Sequence, residues 1–78
     1  MDYEQFISLI PFIVCDLVNM IVQKQNLSES DAITMLYNSK LYSLLEKEDT
    51  KVWYYSTDML YFLLLQEQRT GSIVFPDV

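Results

Sequence analysis

The sequence predicts an all-α fold, a compact bundle of about four helices. Three observations predict it. Apolar residues recur at helical spacing along residues 6–22, 32–45 and 59–65. Candidate helix caps stand just ahead of each later apolar segment, at Ser28, Asn38-Ser39 and Ser56 or Thr57. Residues 52–55 have strand-like side chains, but they do not alternate and have no obvious pairing strand.

The first helix is predicted over residues 2–25. Asp2 and Glu4 suit the positive end of its dipole, and Lys24 suits the other end. Phe6, Ile10, Ile13, Leu17 and Met20/Ile21 run down one face. Ser8, Asp16, Asn19 and Gln23 form a thin polar stripe opposite, with Phe12 intruding. Most of the circumference therefore calls for cover. Pro11 lacks an N–H and crowds the preceding turn, so either a kink near residues 7–10 or a helix starting near Ile10 is expected.

The second helix is predicted over residues 29–37. Ser28 is its N-cap, Glu29 and Asp31 sit in its first turn, and Ala32, Ile33, Leu36 and Tyr37 face inward. A break at Asn38-Ser39 opens a third helix over residues 40–47, with Leu41, Leu44 and Leu45 inward. One continuous helix over residues 28–48 is the alternative. Residues 46–51 read as a solvated turn. The last helix is predicted over residues 58–68, capped by Ser56 or Thr57 and stopped by Gly71 at the C′ position. Residues 72–78 read as an extended tail, in which Ile73, Val74 and Phe75 dock on the body or form a strand. The whole chain, residues 1–78, is one domain.

The bulk chemistry narrows the function. The chain is 51% hydrophobic, more than a sphere of 78 residues readily hides. A covering partner follows, most economically a second copy in a homodimer, or else a second small protein. Eleven acids against five bases give a net charge of −6. The bases are scattered, so no nucleic acid and no anionic membrane surface is expected as a partner. The N-terminus is acidic rather than basic, unlike a signal peptide. Pro11, Asp16 and Asn19 interrupt the apolar run, so a buried helix of a cytoplasmic protein is expected rather than a membrane span. Cys15, the one cysteine, fits a reducing compartment and reads as a small buried hydrophobe.

Catalysis finds little support. Without histidine the commonest general base and metal ligand are missing, and a single Gly cannot build a phosphate-cradling loop. No metal and no cofactor is expected. Asp16 would be a candidate acid or base only if buried, and a place on the polar stripe is the preferred reading. Glu46, Glu48 and Asp49 are too short and irregular a run for a calcium loop. The residues proposed for contact are aromatic: Phe12, Trp53, Tyr54, Tyr55 and Tyr61, although core plus dimer interface is the preferred reading of Trp53, Tyr54, Tyr55 and Tyr61. Tyr37 and Tyr42 share that ambiguity between core and interface.

Lys24-Gln25-Asn26-Leu27-Ser28, then Ala32-Ile33-Thr34-Met35-Leu36-Tyr37, then Tyr42 through Leu45 follow in an order that resembles a family of small uncharacterised bacterial helical proteins. The resemblance covers about residues 12–68. The family shows a Leu-His-Thr-like segment before its last helix, where this chain has Tyr54-Tyr55-Ser56-Thr57. Its domain has no established activity, and its genes often lie in toxin–antitoxin-like neighbourhoods. The resemblance therefore implies a protein-binding, antitoxin-like role. The expected function is a non-enzymatic protein–protein interaction module. The alternative is a DNA-associated regulator using residues 27–45 as a degenerate helix-turn-helix.

Overall fold

A computed structural model describes residues 3–73. Among these, four α-helices and two short 3₁₀ turns form an all-α bundle. The helices are α1 (Tyr3–Gln25), α2 (Glu29–Tyr37), α3 (Lys40–Leu45) and α4 (Thr57–Thr70). The 3₁₀ turns are Glu48–Thr50 and Val52–Tyr54. No strand occurs among the described residues, and 52–55 is a turn rather than an extended segment. Of the tail, only Ser72 and Ile73 are described, and the expected docking or pairing of 74–78 falls outside the described residues.

The helix starts follow from local capping chemistry. The hydroxyls of Ser28, Ser39 and Ser56 accept the backbone N–H of Asp31, Tyr42 and Met59 at 3.1, 3.1 and 3.2 Å. Each such cap contributes about 1 kcal/mol by satisfying an amide that the helix leaves open. Gly71 ends α4 at φ 76°, a left-handed conformation that favours glycine. The break at Asn38-Ser39 separates α2 from α3, so the single long helix does not form. A second device fixes α3. The Glu67 carboxylate, from α4, accepts the N–H of Lys40 at 2.8 Å and of Leu41 at 3.1 Å. Negative charge at a helix N-terminus is favourable, so this contact both caps α3 and holds it to α4.

α3 ends at Leu45, two residues short of the predicted 40–47, because the chain turns into the 3₁₀ segment there. The Thr50 hydroxyl reaches the carbonyls of Leu44 and Lys47 at 2.7 and 2.8 Å, and the Trp53 indole N–H donates to the Glu48 carbonyl at 2.8 Å. These bonds order the connection, at the cost of a left-handed Lys51, φ 56°. α4 runs slightly longer than the predicted 58–68.

α1 continues through Pro11 as one helix. Pro11 is exposed and withholds the N–H that would bond the Ile7 carbonyl. α1 packs on α2 and α4, and α3 packs on α4. The core is built from Leu17, Val18 and Ile21 of α1, Ala32 and Leu36 of α2, Leu41 and Leu45 of α3, Val52, and Leu60, Tyr61, Leu63 and Leu64 of α4. At about 1.5 Å per residue, the 23 residues of α1 span about 34 Å, and the 14 of α4 only about 21 Å. No other helix matches the length of α1, so part of it is left without cover.

Candidate interaction surface

The uncovered part is the N-terminal half of α1. Between Tyr3 and Asp16 only Phe6 is buried, wedged edge-on against Trp53 with ring centroids 5.8 Å apart. Tyr3, Ile7 and Phe12 are 67%, 47% and 71% exposed. Of the most apolar 18-residue window of α1, 22% is buried. By length and composition alone this helix could cross a membrane, a test that core helices and signal sequences also meet. Here its second half is embedded in protein, at Leu17, Val18 and Ile21.

Two hollows run along one flank of this half. The first, of about 330 Å³, has a floor of Ile10, Pro11, Val14 and Val18 and walls from Ile33, Tyr37 and Tyr42. The second, of about 250 Å³, lies between Tyr3, Ile7 and Tyr42. They share Ile10, Pro11 and Tyr42, so they form one continuous apolar groove. Its central wall is an aromatic pair, Tyr37 and Tyr42, with centroids 4.7 Å apart. The charged side chains lining it are Glu29 in the first hollow and Glu46 in the second. Burial pushes the Tyr42 phenol above its ordinary value of 10.0, and Glu46 and Tyr37 beside it push the same way.

The residues singled out in the sequence separate. Phe12 is fully presented to water, but on the other flank of α1, over a shallow hollow with Glu4, Gln5, Ser8 and Leu9. Tyr54 is 80% exposed and shares an open hollow with Glu48, Asp49, Lys51 and Trp53. Trp53 and Tyr55 are half-buried against the core. Tyr61 takes the core reading rather than the contact one. It is 8% exposed, its hydroxyl accepts the Gln25 side-chain amide at 3.2 Å, and the Lys24 ammonium stands 6.0 Å from its ring. It is a core tyrosine whose polar tip finds a partner. The five aromatics therefore do not form one patch.

Two other expectations change. Tyr37 is 51% exposed rather than inward, because its ring leans on Tyr42 at the groove wall. Cys15 is exposed rather than a buried hydrophobe. Residues 8, 12, 15 and 19 follow one another at helical spacing, so Cys15 falls on the polar stripe, where Asn19 contacts its sulfur at 4.0 Å. Asp16 lies exposed on that stripe with Ser8, Asn19 and Gln23, as expected.

The groove itself was missed. Its signal was present as a second apolar stripe on α1, at Tyr3, Ile7, Ile10, Val14 and Val18, one step round from the core-facing one. The helix-turn-helix alternative loses support at α3. That helix has six residues, a carboxylate caps its N-terminus, and its Lys40 ammonium is bound to the Gly71 carbonyl. A recognition helix presents such groups to phosphates and bases instead.

Fold and surface together define a small all-α bundle whose longest helix carries an open apolar groove. No family model matches the chain, and no curated protein or solved structure matches it.

Proposed function

We propose that the protein is a non-enzymatic, cytoplasmic interaction module that works by burying the N-terminal half of α1 against another protein chain. The observation that carries this reading is the uneven cover of α1, with Tyr3, Ile7 and Phe12 exposed on a helix whose other half is core. A contiguous apolar surface on a small soluble domain marks an interaction site. Burying it supplies affinity at about 25 cal/mol per Å² before the costs of association. The partner is a second copy or a second small protein, the latter agreeing with the antitoxin-like role that the family resemblance implies. The acidic surface, with a net charge of −6, steers the encounter.

The test is site-specific photo-crosslinking in the source cell, with benzoylphenylalanine replacing Ile7, Phe12 or Tyr54. The reading expects a discrete protein adduct from positions 7 or 12 and a weaker one or none from 54. It is overturned if 7 and 12 give no protein adduct, or give adducts to lipid alone.

A further inference from the structure

Resting on that reading, we infer that the α1 groove takes an amphipathic helix of a different protein, one whose apolar face carries a Lys or Arg near each end.

Backbone chemistry selects a helix. The groove is walled by α1, α2 and α3, and the described residues contain no strand, so there is no open sheet edge for an extended peptide to pair with. A guest without backbone partners must satisfy its own amides, as a helix does. The groove runs from Tyr3 to Asn19 of α1, about 24 Å at 1.5 Å per residue, room for a guest of about four turns.

Charge selects the flanks. Glu46 lies in the hollow toward the start of α1, and Glu29 in the hollow toward Asn19, with only apolar and uncharged side chains between. Among the described residues no Lys or Arg lines either hollow. Two of the chain's bases are engaged elsewhere, Lys24 over the Tyr61 ring and Lys40 on the Gly71 carbonyl. A guest with a base near each end meets a carboxylate at each end.

The same placement argues against a second copy. A two-fold contact is built from the same patch on both chains. It would gather Glu29 and Glu46 from each chain around one apolar seam whose described lining holds no base. Like charges brought together in this way oppose association.

Phage display of helix-forming 16-residue peptides against the intact protein tests this. The inference expects enriched sequences with apolar residues at i, i+3/i+4 and i+7 and Lys or Arg near both ends. An enriched peptide should lose affinity roughly three- to tenfold at low salt against the Glu29→Gln/Glu46→Gln double variant, the range for two exposed ion pairs. It should lose more against Ile10→Ser and little against Phe12→Ser, on the other flank. Circular dichroism of each variant separates lost binding from lost folding. Apolar helices enriched without basic ends overturn the inference and leave the interaction reading standing. No enrichment, or enrichment insensitive to Ile10→Ser, overturns the inference, while the crosslinking result decides the interaction reading by itself. A dimer in light scattering that Ile10→Ser converts to monomer assigns the groove to a second copy and also overturns it.

Discussion

The two halves of α1 have nearly the same composition and opposite fates. From Leu17 onward the helix is core: Leu17 and Ile21 are 0% exposed, and Val18 is 6%. Before that only Phe6 is buried: Tyr3, Ile7 and Phe12 stand in water, and Leu9, Ile10, Ile13 and Val14 are half-buried. The difference lies in the lengths of the neighbours. α2 has nine residues, about 14 Å, and meets α1 along Val14, Val18 and the turns that follow. α4 covers the same end. Among the described residues nothing of comparable length lies over Tyr3–Phe12. Hydrophobicity states what a helix would gain from burial, and the length and placement of the other helices decide where that gain is realised.

The largest effect that can break this comparison is a truncation in the covered half. Leu17→Ala should cost about 3–5 kcal/mol, a large part of the stability of so small a domain. Urea denaturation should show a midpoint far below wild type, or a chain already unfolded. A loss under 1 kcal/mol would mean that the covered half is loosely held.

The next effect concerns the groove wall. Glu67→Ala removes the carboxylate that holds the amides of Lys40 and Leu41, and it should cost about 1–2 kcal/mol. At roughly 4–8 °C per kcal/mol for a domain of this size, the melting temperature should fall by roughly 4–16 °C. Glu67→Gln keeps one acceptor and should fall between the two. Equal melting temperatures for all three chains would contradict the capping role.

In the open half the same kind of change should do little. Ile7→Ser alters a side chain that is 47% exposed and should shift stability by no more than about 0.5 kcal/mol. It should also reduce binding of an apolar dye, with far-ultraviolet circular dichroism unchanged. A loss comparable to that of Leu17→Ala would erase the contrast between the halves.

The smallest effect is the titration of Tyr42. Its folded-state pKa is raised, by burial first and then by Glu46 and Tyr37. The folded chain therefore holds this proton to higher pH than the unfolded chain does. The contribution is fully present below about pH 10, and it is lost as pH rises from there through the folded value. Tyr42→Phe should flatten that decline in urea midpoints compared at about pH 9 and about pH 11. An unchanged slope would show that the wall is as solvated as free tyrosine.

Much of the bundle was legible because its signals are short-range. Ser28, Ser39, Ser56 and Gly71 each act within one turn of the residue they cap; Ser28 and Gly71 serve as read, and the structure selects Ser39 from Asn38-Ser39 and Ser56 over Thr57. Ala32, Leu36, Leu41 and Leu45 were legible from spacing alone. The residues left open or misread are those whose surroundings depend on distant parts of the chain. Tyr61 is core because Gln25, 36 residues earlier, reaches its hydroxyl. Tyr37 is exposed because its partner Tyr42 belongs to another helix. The Glu67 clamp joins residues 26 and 27 positions apart. The groove was hidden for the same reason. Ile10 reads as an ordinary core position until the neighbouring helices prove too short to bury it.

The central claim is that the N-terminal half of α1 is open in the free protein, and hydroxyl-radical footprinting of dilute, purified protein tests it most directly. Tyr3 and Phe12 should oxidise at rates within a few-fold of the urea-unfolded chain, while Phe6 and Leu17 are strongly protected. Protection of Tyr3 and Phe12 to the same degree as Phe6 would contradict the account.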